Sequence, residues 1–162
     1  PLTVILLLDG SSSVTREDFD AMKDFSRALI HDLHSYRTDA SVGIIQFNQS
    51  PRTMVPITNV TNDTLLQRVD NMQQLMGSTD IAAPIRSAYE MLRVDGNQGG
   101  DSVVLLLSDG QTSTAELEMS QGEARRAAKE LGMRLFAFGV GRDVDEIGTN
   151  TSTNTLLSST SP

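Results

Sequence analysis

The sequence predicts a doubly wound α/β domain: a mainly parallel central sheet with one antiparallel edge strand and helices on both faces, a Rossmann-like arrangement. Three observations predict it. The runs Val4-Ile5-Leu6-Leu7-Leu8 and Val103-Val104-Leu105-Leu106-Leu107 are apolar without alternation, the pattern of strands covered on both faces. Helix-spaced apolar segments alternate with strand-like runs along the chain. One connection, Asn48 to Pro51, is far too short for a parallel return, which needs about a dozen residues or more, so it implies an antiparallel pair.

Taken in order, Thr3 to Leu8 is the first strand and Asp9 to Val14 a loop. Thr15 is an N-cap, with Glu17 and Asp18 at the positive end of the helix dipole. Phe19, Met22, Phe25, Leu29, Ile30 and Leu33 recur at helical spacing and predict one buried face through about Ser35. Ser41 to Phe47 is the second strand and Arg52 to Ile57 a third. Pro56 cannot donate a ladder bond, which puts the third strand at an edge. Asn62 or Asp63 is expected to cap a short helix carrying Leu65, Leu66, Val69 and Met72.

After the loop Gly77-Ser78-Thr79-Asp80, a helix starts near Ala82, because Pro84 is tolerated only in a first turn. Ile85, Ala88, Tyr89 and Leu92 form its apolar face, and Asp80 is read as its cap. Val94 to Asp101 is a Gly-rich turn region, and Ser102 to Leu107 the second doubly buried strand. A helix over Ala115 to Leu131 faces Leu117, Ala124, Ala127, Ala128 and Leu131 inward and ends at Gly132. Arg134 to Gly139 is the last strand. The tail from Asp143 to Pro162 is polar, with Ile147, Leu156 and Leu157 as its apolar anchors.

The 162 residues, 38% of them hydrophobic, suffice for one domain with a real core. No run approaches the roughly 18 apolar residues that span a bilayer, and no signal peptide is present. The net charge of −8 without a basic cluster argues against nucleic acid as a partner. Cysteine is absent, which excludes a disulfide framework, a thiolate metal site and a cysteine nucleophile. Four Asn-x-Ser/Thr sequons, at Asn48, Asn59, Asn62 and Asn150, push the reading towards a secreted or surface glycoprotein.

The chemistry is concentrated at two strand ends. The first apolar run passes directly into Asp9-Gly10-Ser11-Ser12-Ser13, the second into Ser108-Asp109-Gly110. In open sheets of this kind ligands bind outside the carboxyl ends of the strands, where the strand order switches. Two carboxylates with several hydroxyls and no His or Cys form a hard-oxygen set, suited to Mg²⁺, Mn²⁺ or Ca²⁺ rather than Zn²⁺ or Cu²⁺. Asp9, Ser11 and Ser13 alternate along a loop and can converge on one ion. Neutral hydroxyl donors leave such an ion seeking another anionic oxygen. Ser12 is expected to be a plain loop residue.

These residues resemble the von Willebrand factor type A domain, the integrin I-domain fold, with its metal-ion-dependent adhesion site. The likeness lies in Asp9-x-Ser11-x-Ser13, Thr79 within Met76-Gly77-Ser78-Thr79-Asp80, and Asp109 before Gly110. Val42-Gly43-Ile44-Ile45-Gln46-Phe47 and Phe136-Ala137-Phe138-Gly139-Val140-Gly141 add to it, over Leu2 to about Pro162. The resemblance implies that Asp9, Ser11, Ser13, Thr79 and Asp109 hold Mg²⁺ or Mn²⁺ (or Ca²⁺). It also implies that a Glu or Asp of a protein partner completes the coordination. The family couples affinity to movement of its last helix. Here Asn154 to Pro162 resembles the segment preceding the family's final strand and helix, so residues 1–162 are expected to be a single domain excised from a longer protein and lacking those elements. The stretch Asp143 to Thr155 also departs from the acidic, helical segment usual there.

Other chemistries fit less well. A serine hydrolase needs a histidine base in reach. His31 and His34 lie late in the first helix, roughly 25 Å from its start at 1.5 Å per residue. Gly139-Val140-Gly141 lacks the third glycine of a dinucleotide turn and an acidic ribose ligand. Most of the methionines fall on helix faces, as core filler rather than a binding stripe. The function expected is therefore a non-enzymatic, cation-dependent adhesion module, extracellular or at the cell surface, monomeric as an isolated domain, without membrane insertion. The alternatives are an intracellular assembly scaffold and a metal-dependent phosphoryl-transfer enzyme. The latter lacks a His, Cys or Lys in the site loops.

Overall fold

β1 (Leu2–Asp9) is the axis of the domain, and its sequence explains why. Ile5, Leu6, Leu7 and Leu8 are all fully buried, and each such side chain contributes about 1.5–3 kcal/mol relative to an exposed position. A strand apolar on both faces must lie inside the sheet with layers above and below it. The computed structural model describes residues 1–95, 99–109, 121–122, 125–126 and 129–141. Within it β1 pairs in parallel with β2 (Ser41–Phe47) on one side and β4 (Asp101–Ser108) on the other.

The five strands run in the order β3-β2-β1-β4-β5, with β3 (Pro51–Asn59) antiparallel at one edge and β5 (Arg134–Gly139) parallel at the other. The expected class is thus the observed one. Pro56 lies where the β2–β3 register shifts: Val55 faces Ile44 and Thr58 faces Val42, so two β3 residues oppose Gly43. A bulge at an edge is a place where a missing N–H costs no ladder bond.

Two apolar layers cover the sheet. α1 (Arg16–Tyr36) brings Phe19, Met22 and Ile30 onto the face of Val4, Leu6, Leu8, Val42 and Ile44, with Leu65 and Val69 of α2 (Leu65–Asp70) beside them. α3 (Ala82–Asp95) lays Ile85, Ala88, Tyr89 and Leu92 on the opposite face, against Ile5, Leu7, Ile45, Phe47, Val104 and Leu106. Thr15 Oγ1 caps α1 by accepting from Asp18 N at 3.1 Å. Residues 121–122, 125–126 and 129–131 are helical, and Gly132 follows with φ +63°, the left-handed stop its position predicts.

Several expectations need correction. Phe25 is 38% exposed and Leu66 42% exposed, while Lys23 and Ser26 take buried positions on α1. Lys23 reaches inward because Nζ finds acceptors there, donating to Asp70 O and Met72 O at 2.8 and 3.1 Å. Phe25 sits on the shoulder of the helix, its ring 6.3 Å from that of Phe138. Neither Asn62 nor Asp63 caps α2. Thr64 is the N-cap and makes no side-chain cap bond, because Asn62 Oδ1 has turned the chain one step earlier by accepting from Thr64 N. Val103 and Leu105 of β4 are half-buried rather than covered. Residues 110–120 and 142–162, with the start of the Ala115–Leu131 helix, the tail anchors and Asn150, lie outside the described residues.

The chain leaves β1 through α1 to β2 on one side, and later returns through α3 to β4 on the other. The connections diverge between β1 and β4. Asp9 and Ser108 are the last residues of those two strands, at that switch in order.

Candidate metal centre

Asp9 ends a fully buried strand and is itself 0% exposed, so its carboxylate must be met by donors. They come from two strand ends. Oδ1 accepts from Ser11 N at 2.9 Å and from Ser11 Oγ at 2.6 Å. Oδ2 accepts from Ser108 Oγ at 2.7 Å. Ser11 Oγ lies 3.2 Å from Ser13 Oγ. A hydroxyl has one proton, and that of Ser11 is directed at Asp9, so Ser13 is the donor in this pair. The outcome is a contiguous line of oxygens running from buried Asp9 and Ser11 out to exposed Ser13.

Asp109 directly follows β4 and is half-buried. Its Oδ2 is a buried atom that accepts no hydrogen bond, although the residue has interactions elsewhere. Thr79, also half-buried, belongs to a segment fastened to the Asp9 loop by five backbone and side-chain bonds. Met76 N donates to Gly10 O at 2.8 Å, and Ser12 N to Gly77 O at 2.8 Å. Gly77 N donates to Ser12 Oγ at 2.7 Å. Gln74 Nε2 spans Ser11 O and Val14 O at 3.0 and 2.9 Å. Ser12 is therefore not a plain loop residue: it joins the two loops. Asp80 is the cap expected of it, accepting from Ala82 N and Ala83 N at 2.9 and 3.2 Å.

Sequence reasoning missed three contributors. Ser108 was read only as part of the run into Asp109. Gln46, fully buried near the end of β2, donates to Gln73 O at 2.9 Å and accepts from Leu75 N at 2.8 Å. Asn48 Nδ2 donates to Met76 O at 2.8 Å. The signal was available in one form: a glutamine inside an otherwise apolar strand needs polar partners, and β2 ends beside Asp9. Close approach is possible because two glycines leave room. A Cβ on Gly10 would stand 2.1 Å from Gln46 Oε1, and one on Gly77, at φ +93°, 2.4 Å from Gln49 Oε1.

Among the described residues no group of three or more His, Cys, Asp or Glu could hold a metal. The charge at the strand ends is limited to the two aspartates, and the remaining donors are neutral hydroxyls. Their chemistry suits a hard divalent cation. The two histidines stand far out of the argument as bases: His31 is 74% exposed on α1.

Fold and strand-end chemistry together define a class: doubly wound α/β domains that gather carboxylate and hydroxyl oxygens at the carboxyl edge of the sheet. The von Willebrand factor type A domain matches residues 3–157, and the chain belongs to that family. It is 30% identical over 151 residues to the collagen alpha-6(VI) chain of Homo sapiens, covering 88% of this chain and 6% of the collagen. With matrilin-1 of Mus musculus it shares 28% over 147 residues, covering 88% of this chain and 28% of matrilin-1. The chain thus spans a small part of the relatives it matches. Among solved structures, proximal thread matrix protein 1 of the mussel byssus superposes with a TM-score of 0.72 at 25% identity, over 87% of this chain and 38% of that one. That structure carries a zinc-occupied MIDAS motif. The pilus adhesin SpaC of Lactobacillus rhamnosus GG shares the fold at a TM-score of 0.72 and 17% identity, over 86% of this chain and 24% of SpaC. The curated relatives are secreted matrix proteins rather than enzymes, and the chain is extracellular with them. No helix among the described residues is long and apolar enough to cross a membrane.

Proposed function

We propose that the domain is a cation-dependent protein-binding module of the adhesion type. Asp9, Ser11, Ser13, Thr79 and Asp109 would hold Mg²⁺ or Mn²⁺, with Ca²⁺ accommodated by the same oxygens. When bound, the cation supplies an electropositive centre for an anionic oxygen of a protein partner, a Glu or Asp carboxylate. The single observation that carries this reading is the chain of contacts Ser108–Asp9–Ser11–Ser13, at 2.6 to 3.2 Å, set at the switch point of the sheet.

This chain's own residues fit that task. Ser11 gives its proton to Asp9 and accepts that of Ser13, which leaves one lone pair on its oxygen for a Lewis acid. Ser13 stands exposed where a partner would arrive. The Gln46, Gln74 and Ser12 bonds fix the relative position of the two loops before any ligand binds, which lowers the ordering cost of binding. The membership of collagen VI and matrilin-1 among its relatives supports a matrix or cell-surface partner rather than turnover of a substrate. The buried Lys23, the nearest thing to a spare base on α1, is engaged by two carbonyls and serves the fold.

The test is binding of a carboxylate-bearing matrix preparation to the immobilised protein in Mg²⁺, Mn²⁺ or EDTA. Binding that needs the cation, and that Asp9→Ala abolishes while the far-ultraviolet circular dichroism is kept, supports the proposal. Binding unchanged in EDTA overturns it.

A further inference from the structure

We propose that Asn62 alone, of the sequons at Asn48, Asn59 and Asn62, carries an N-linked glycan in the folded protein. All three have the required Asn-x-Ser/Thr triplet, so the triplet does not choose among them. The folded surroundings do, because a sugar is accommodated where the amide nitrogen has room and is not already held against another part of the fold.

At Asn48 both ends of the side chain are committed. Nδ2 donates to Met76 O at 2.8 Å and Oδ1 accepts from Ser50 N at 2.9 Å. The residue is half-buried, and a methyl-sized atom on Gly77 would already come within 3.3 Å of Nδ2. A sugar there would displace the loop that carries Thr79. Pro51 follows Ser50 and restricts its backbone. At Asn59 Nδ2 donates to Thr38 O at 3.1 Å, tying the end of β3 to the turn before β2.

Asn62 differs. Its Oδ1 accepts from Thr64 N at 2.9 Å and from Thr64 Oγ1, the sequon hydroxyl, at 2.8 Å. These bonds fix the carboxamide, while its Nδ2 donates to nothing among the described residues. Residues 61–64 are all exposed. The modification replaces one Nδ2–H by an Nδ2–C1 bond to N-acetylglucosamine. The C1–O bond to a lipid pyrophosphate breaks in the same step, and the amide proton leaves with no change of oxidation state. The Oδ1 bonds that shape the turn survive it.

Place in the fold supports the same choice. Asn59 pairs with Ser41 and Ser41 with Thr3, so the turn bearing Asn62 adjoins the amino end of the parallel strands. Asp9 pairs with Phe47 at the carboxyl end. A glycan on Asn62 stands at the opposite pole from the proposed binding face, whereas one on Asn48 would stand beside it.

The test is a site map of the full protein recovered from the medium of secreting eukaryotic cells. Enzymatic deglycosylation in ¹⁸O-water converts an occupied Asn to labelled Asp, and fragment spectra of the peptide between Arg52 and Arg68 separate Asn59 from Asn62. Label at 62 with 48 and 59 unlabelled is expected. Thr64→Ala should remove the glycan's gel shift and Asn59→Gln should keep it; if either variant is not secreted, the wild-type map decides. Label at 48 or 59, or no label at 62, overturns the proposal.

Discussion

Ser108 Oγ donates to Asp9 Oδ2 at 2.7 Å, joining the last residues of two strands that are 99 positions apart in sequence. Both residues are buried, and Ser11 supplies donors only to the other carboxylate oxygen. Ser108→Ala should therefore leave Oδ2 short of its donor in a place water reaches poorly. A hydrogen bond to a charged group is worth about 1.5–3 kcal/mol, and a destabilisation of that order is expected in urea unfolding without divalent cation. Ser108→Thr, which keeps the hydroxyl, should recover most of it.

Gly10→Ala tests how tightly the loops are seated. The new Cβ would meet Gln46 Oε1 at 2.1 Å, and Gln46 cannot step aside without giving up both its bonds to residues 73 and 75. Overpacking of this kind costs about 1–3 kcal/mol. Thermal denaturation should show a lower midpoint, and the amide signals of residues 73–77 should move more than those of α1.

How much of this was legible beforehand follows from where the information lies. The strands and α3 were written locally: unbroken apolar runs for β1 and β4, Pro84 and Asp80 at the start of α3. The residues Asp9, Ser11 and Ser13 were legible because they follow such a run without a spacer. Ser108, Gln46 and Ser12 were not, since their role exists only once β1, β2 and β4 lie side by side. Phe25 and Leu66 had the right spacing but fall at the edge of their stripes, and periodicity does not say how wide the covered stripe is. Lys23 went the other way, because its charge hides the acceptors that α2 offers it. Asn62 was expected to cap α2, but its side chain acts just ahead of the helix, where it accepts from the N–H of the N-cap Thr64.

Gln46→Leu keeps approximate volume and removes both polar ends. Gln73 O and Leu75 N would lose their partners, each at a cost of about 1–3 kcal/mol where they stay buried. The mutation should raise hydrogen exchange at Leu75 selectively. Because the same segment leads to Gly77 and Thr79, cation affinity measured by calorimetry should fall as well, while the α3 amides keep their protection.

Tyr89 and Glu130 form a pH-sensitive clasp between α3 and the helix that ends at Leu131. The Tyr89 hydroxyl donates to Glu130 Oε2, and Arg126 lies over the Tyr89 ring, 5.2 Å from its centre. The hydrogen bond from Tyr89 holds the Glu130 carboxyl below its ordinary 4.5, and Arg126 adds to this. The same bond, with burial, raises the Tyr89 hydroxyl above its ordinary 10.0. A depressed carboxyl contributes stability above its unfolded value and loses it as pH falls through the folded one. A raised phenol contributes below its unfolded value and loses it as pH rises through the folded one. The stability difference between wild type and Tyr89→Phe should thus be constant from about pH 5 to 9 and shrink on both sides. A difference independent of pH down to acid unfolding would show that the bond does not form in solution.

Cation binding should stabilise the fold through the strand ends and nowhere else. A ligand that binds only the folded state adds RT ln(1 + [L]/Kd), about 2.7 kcal/mol at a hundredfold excess over Kd. Titration with Mg²⁺ or Mn²⁺ should raise the unfolding midpoint of the wild type and EDTA should reverse it. In Ser11→Ala the oxygen that links Asp9 to Ser13 is gone, so the increment should disappear even where the cation-free stability changes little. Asn62→Gln, at the opposite end of the sheet, should retain the full increment. An equal increment in Ser11→Ala and wild type would place the cation elsewhere on this acidic chain, whose net charge of −8 can attract divalent ions without a site.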